Sequence, residues 1–111
     1  MNESPLYVRT YDLMLWIIPQ LQKFPRAHRF GLVERIQSIC MDFQDALVAA
    51  GKSKGEERHA WLRKADIYLE QLRFWVRFAR DLQLISVRQF EHVSRMMTEI
   101  GRLLGAWLKK F

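Results

Sequence analysis

Apolar residues recur along this chain at steps of three and four, and no convincing stretch alternates apolar with polar, so the pattern predicts helices and no strands. The first helix is predicted from about Leu6 to Phe24, entered through Ser4-Pro5 with serine as cap and proline as first helical residue. Leu6, Leu13, Ile17, Leu21 and Phe24 line one face, widened by Tyr7, Tyr11, Met14 and Ile18. Pro19 lies inside this pattern and predicts a kink, because it lacks a donor and clashes with the carbonyl of Leu15. A second helix follows Pro25, with Val33, Ile36, Cys40, Phe43, Leu47 and Ala50 as its seam. Gly51 is placed to end it, and KSKGEE (52–57) reads as a polar, mobile loop. The third helix, about Glu57 to Gln83, carries Leu62, Ala65, Leu69, Leu72, Val76 and Ala79 at the same spacing. The fourth, about Val87 to Lys109, uses Phe90, Val93, Met97, Ile100, Leu104 and Trp107, with Ser86 as cap and Lys109-Lys110 at its negative end. Four helices of about 20 residues with short connections predict an all-α, antiparallel up-and-down four-helix bundle with left-handed crossing, as one domain over residues 1–111.

The third helix has more apolar surface than one bundle uses. Trp61, Tyr68, Trp75 and Leu82 form a second row spaced by sevens, and Phe74 and Phe78 lie farther round. Either this row widens the core face, with indole and phenol tips at its rim, or it meets another copy or a protein partner. We take Trp61, Tyr68, Phe74, Trp75 and Phe78 as the expected oligomer interface.

Charge narrows the partners. Lys and Arg total 18 against 12 Asp and Glu, leaving +6, with the excess leaning toward residues 56–111. A surplus of this sign favours nucleic acid, an acidic protein or an anionic membrane surface. The longest apolar run, LMLWII (13–18), is far below the ~20 residues of a membrane span. MNESPLYVRTYD shows no charged leader before an apolar run, so no signal peptide is expected. Cys40 is the single cysteine, which excludes an intrachain disulfide and fits a reducing, cytoplasmic setting. Its seam position makes it a small buried hydrophobe. His28, His59 and His92 are scattered over different elements, without H-E-x-x-H, Glu-x-x-His, a phosphate-binding glycine loop or a nucleophile elbow. No active site, metal or cofactor is expected. His92 is read as a satisfied, partly buried side chain.

Two basic features remain. Arg73, Arg77 and Arg80, at i, i+4 and i+7, form one row beside Trp75, Phe74 and Phe78, a cationic and aromatic surface suited to nucleic acid. The plain alternative is a solvated face neutralised by Glu70 and Asp81. Arg88, Arg95 and Arg102 repeat by sevens in the fourth helix, but Glu91 and Glu99 stand at pairing distance, so that row reads as ordinary surface. KFPRAHRF (23–30) places Arg26, His28 and Arg29 in the expected first turn of the second helix, where the dipole already favours anions. Pairing with Asp12, Glu34 or a neighbouring subunit would equally account for it.

The run W-x-x-P-x-x-x-K-F-P-R-x-H-R-F-x-L-x-x-R-I, Trp16 to Ile36, resembles the accessory variability determinant (Avd) proteins of diversity-generating retroelements. A related four-helix group, encoded by intervening sequences of bacterial ribosomal RNA genes, typically has R-A-A-x-S-I…N-I-A-E-G in its second helix. RIQSICMDFQDALVAAG departs from that pattern, which favours the Avd group. The resemblance implies a non-enzymatic partner of a reverse transcriptase, assembled as a homopentameric ring, that binds RNA and DNA and supports mutagenic cDNA synthesis. It matches the family's motif here at Lys23, Phe24, Pro25, Arg26, His28, Arg29, Phe30, Leu32 and Arg35. Lys23, Arg26, Arg29 and Arg35 are expected to make charge-dependent contacts, with His28 among the binding residues, and Phe24, Pro25 and Phe30 to set the bend. The alternative is a scaffolding bundle of the intervening-sequence type with a protein partner only.

Overall fold

Four helices form in the predicted order: α1 (Pro5–Gln22), α2 (Glu34–Gly51), α3 (Gly55–Asp81) and α4 (Val87–Lys110). The computed structural model describes residues 4–111; Met1, Asn2 and Glu3, which open the stretch read for a leader, lie outside the described residues. Among the described residues there is no strand.

The helices run up and down. At one end the phenol of Tyr7 (α1) donates to the Leu47 carbonyl (α2) at 2.7 Å, and His59 (α3) lies 3.1 Å from the Leu108 carbonyl (α4). At the other, Trp16, Ile36, Ala79 and Val93, one from each helix, converge on one small cavity with Phe24 and Ile85 from the connections. α1 and α3 each pack on α2 and α4 and therefore sit diagonally.

The seams predicted for α3 and α4 are buried from Leu62 to Ala79 and from Val93 to Leu104. In α2, Ile36, Cys40, Phe43, Leu47 and Ala50 are buried as expected, joined by Ile39 and Ala46. Burial in α1 is narrower than its pattern predicts. Tyr7 is buried, but Tyr11 is 59% exposed, and buried Thr10 closes the face by returning its hydroxyl to the Leu6 carbonyl at 2.8 Å. α1 remains one helix through Pro19 and ends at Gln22, two residues earlier than predicted.

Each connection closes backbone groups that helix ends leave open. The expected mobile loop at 52–57 is only three residues long. Ser53 is buried and donates to the Ala49 carbonyl at 2.7 Å, while Arg58 Nε lies 3.0 Å from the Ala50 carbonyl and 2.8 Å from that of Ser53. α3 ends at Asp81 rather than Gln83, in a Schellman turn: Leu84 N–H donates to Ala79 at 2.9 Å and Gln83 N–H to Arg80 at 2.8 Å. Gln83 takes the left-handed conformation, φ 63°, that this turn usually gives to glycine. Ser86 and Gln89 form a reciprocal capping box at the start of α4.

Candidate nucleic-acid interface

The KFPRAHRF connection differs from its predicted form. Pro25 does not open α2. It precedes a three-residue 3-10 turn, Arg26–His28, followed by a π turn over Arg29–Val33, and regular α-helix begins only at Glu34. His28 N–H closes the 3-10 turn on the Pro25 carbonyl at 2.9 Å. The backbone at Arg29, Val33 and Glu34 is helical throughout, so Arg26, His28 and Arg29 stand at the open end of a continuous helical run and Glu34 lies one turn inside it. Phe24 and Leu32 anchor the segment, Phe24 half-buried on the core and Leu32 buried. Phe30 anchors nothing: it is 81% exposed. The bend thus rests on Phe24, Pro25 and Leu32.

Arg26, Arg29 and Phe30 line a groove of about 350 Å³ together with Leu21, Gln22, Phe24, Val33, Glu34 and Gln37. Neither arginine forms an ion pair among the described residues. Asp12 pairs instead with Arg9 at 3.7 Å, and Glu34, though it lines the groove, bonds to no basic group. Lys23 and Arg35 flank the segment, both exposed, and His28 is half-buried.

The α3 row is less uniform than its spacing implies. Arg73 bonds to Glu70 at 3.0 Å, and its side chain is 38% exposed. Its guanidinium lies across α4, where a Cβ on Gly101 would collide with it. Arg80 pairs with Asp81 at 2.8 Å and stacks over the Phe90 ring at 4.3 Å. Of the three, Arg77 alone is exposed with no ion pair among the described residues. The neutralising pairs weighed from the sequence thus form at two of the three arginines. In α4, Arg102 pairs with Glu99 as expected, whereas Glu91 pairs with neither Arg88 nor Arg95. His92 is exposed, not partly buried, and its ring rests near Trp16 at 5.2 Å between centroids.

The up-and-down topology brings these groups to one end. The parts of the chain that meet there, residues 16–36 and 73–97, hold Lys23, Arg26, Arg29, Arg35, Arg73, Arg77, Arg80, Arg88 and Arg95 against only Glu34, Asp81 and Glu91. Counting also Glu70, which bonds to Arg73, and Glu99, in the helix that Arg73 lies across, this end holds nine basic against five acidic residues, so most of the surplus of +6 lies toward it. Arg88 and Arg95, read from sequence as ordinary surface, are part of it; their link to Arg26 and Arg35 needed the antiparallel pairing of α1 with α4.

The aromatic row of α3 follows its helical spacing as far as Trp75, while Leu82, read as part of the same row, lies past the end of the helix and is exposed. Trp61, Tyr68 and Trp75 are half-buried against the core, whereas Phe74 (59% exposed), Phe78 and Leu82 face outward. Trp75 makes edge-on contacts with Phe74 and Phe78, 5.0 and 5.6 Å between centroids. A second apolar row, Val8, Tyr11 and Leu15, is exposed on the diagonally placed α1. Among the described residues no three His, Cys, Asp or Glu side chains come together as a metal site, and no helix is long and apolar enough to cross a membrane. Burial pushes the Cys40 thiol up to about 12.

A family model described as bAvd-like matches residues 6–111. The chain belongs to the bAvd-like family. The match embraces all four helices, well beyond the Trp16–Ile36 run that carries the resemblance to Avd proteins, and makes that resemblance a family membership. No curated protein matches the chain.

Proposed function

We propose that this bAvd-like chain is a non-catalytic accessory subunit that binds nucleic acid and a reverse transcriptase of a diversity-generating retroelement, supporting mutagenic cDNA synthesis in the cytoplasm. The observation that carries the reading is the concentration of basic side chains without ion pairs at one end of the bundle. Seven basic side chains there, Lys23, Arg26, Arg29, Arg35, Arg77, Arg88 and Arg95, have no ion pair among the described residues. Charges left unpaired over one surface are the arrangement that polyanions exploit by releasing counterions.

Assembly into a homopentameric ring belongs to the same reading. A ring needs two different patches on each copy, so that the contact is head-to-tail. The α3 row of Trp61, Tyr68, Phe74, Trp75 and Phe78 and the α1 row of Val8, Tyr11 and Leu15 supply two apolar patches on diagonal helices. A light-scattering mass equal to one chain at micromolar concentration would sink this part.

The test of the central claim is binding of labelled RNA, RNA–DNA hybrid and duplex DNA across a salt series. Log affinity should fall linearly with log salt, at a slope equivalent to several phosphates. No binding at low salt would leave the second reading, a scaffold for a protein partner only. That reading draws on the Arg73–Glu70 and Arg80–Asp81 pairs, which neutralise part of the α3 face.

A further inference from the structure

The groove beside the 3-10 turn has a chemistry of its own. A phenylalanine 81% open to solvent costs free energy in water, and nothing in the bundle covers Phe30. Its neighbours along the groove are two guanidinium groups without ion pairs, Arg26 and Arg29, above half-buried Phe24 and Val33. An apolar ring beside two arginines that form no ion pair among the described residues does not suit a hydrophobic partner helix, which would have to desolvate both. The head-to-tail contact proposed above uses the apolar rows of α3 and α1 and leaves Phe30 outside it. Both components fit a ligand that alternates flat apolar rings with phosphates.

We propose that this groove is a stacking site for single-stranded nucleic acid. One unpaired base lies on the Phe30 ring, and the phosphates on either side of it are held by Arg26 and Arg29. Glu34 also lines the groove, and its carboxylate disfavours a phosphate placed against it. A paired base inside a duplex presents no free face to Phe30, so the site favours single strands, whereas unpaired positive charge alone serves duplexes as well. The inference rests on the polyanion reading above and adds strand state and a base contact to it.

The test compares wild type with Phe30→Ala and Phe30→Tyr on two probes of equal phosphate number: oligo-dT and an abasic deoxyribose-phosphate oligomer. Wild type should bind oligo-dT at least about fivefold more tightly than the abasic strand, the lower end of what one base stacked on an aromatic ring contributes. Phe30→Ala should remove that difference without changing the salt slope, and Phe30→Tyr should keep it. Equal wild-type affinity for both probes overturns the stacking site and leaves the polyanion surface standing. Failure to bind either probe while duplex or hybrid still binds overturns the stacking site alone, and failure of duplex and hybrid as well overturns both. The exposure of Phe30 predicts an unchanged melting temperature for Phe30→Ala. An altered light-scattering mass in that variant would assign the ring to a subunit contact and overturn the proposal.

Discussion

The Tyr7 hydroxyl donates to the Leu47 carbonyl across the α1–α2 seam, at 2.7 Å and 40 residues away in sequence, and it does so directly over Gly51. A Cβ at position 51 would stand 2.6 Å from that hydroxyl but 3.8 Å from the ring carbon bearing it. The bond therefore needs glycine at the end of α2.

This geometry predicts a coupling between the two positions. Gly51→Ala alone should destabilise the bundle by about 1–3 kcal/mol, because the phenol must move out of a packed seam. Tyr7→Phe should cost about 0.5–1.5 kcal/mol for the lost hydrogen bond. In the double variant the clash has no hydroxyl to strike, so Gly51→Ala should become neutral or slightly stabilising. Urea denaturation of the four proteins reads the cycle; simple additivity would show that the hydroxyl and Gly51 do not share space.

Gln83 occupies a left-handed position in the turn after α3, where a side chain costs roughly 1 kcal/mol relative to glycine. Gln83→Gly should raise stability by about that amount, and Gln83→Val should lower it. A fall in the thermal midpoint of the glycine variant would contradict the left-handed turn.

Cys40 gives an alkaline dependence of known sign. Burial holds its folded pKa at about 12, against an ordinary 9.0. Above pH 9.0 the unfolded chain releases this proton while the folded chain keeps it, so the contribution is complete below that pH and is lost as pH rises toward 12. Burial also raises the Tyr7 pKa, with Arg58 opposing, and adds a loss of the same sign above its ordinary 10.0. Urea midpoints should decline from about pH 9 in the parent and show a smaller decline between pH 9 and 10 in Cys40→Ala.

Arg73 and Arg77 should separate when changed singly. Arg77→Glu should weaken nucleic-acid binding and reduce the salt slope by about 1 or more, with an unchanged melting temperature. Arg73→Glu should lower the melting temperature as well, because its guanidinium spans from Glu70 to the α4 backbone at Gly101. Equal thermal midpoints for the two variants would place Arg73 in solvent, where the helical spacing alone would put it.

The sequence by itself determined the helices and their buried faces. A seam repeated at three and four residues has one geometric solution, a stripe along a 3.6-residue helix, so Leu62 to Ala79 and Val93 to Leu104 could be read without knowing what they touch. The capping box at Ser86 was partly legible, its serine cap predicted, for the same reason: its partners lie within one turn. Local spacing also put Phe74 and Phe78 farther round the helix, where they are exposed, but left open whether half-buried Trp61, Tyr68 and Trp75 belonged to the core or to a partner.

Tertiary structure decided what depends on neighbours from other helices. Tyr11 and Tyr7 fit the same apolar pattern, yet only Tyr7 lies where α2 covers it. Ser53 looks like loop until the Ala49 carbonyl and Arg58 enclose it. The charged end is the clearest case. Every helix runs from one end of the bundle to the other, so any half of the chain samples both ends and dilutes the asymmetry to a slight lean. Only when α1 and α4 lie antiparallel do Arg26 and Arg95 reach the same end, and most of the surplus gathers there. Helical periodicity is a property of successive residues; an electric field is a property of the fold.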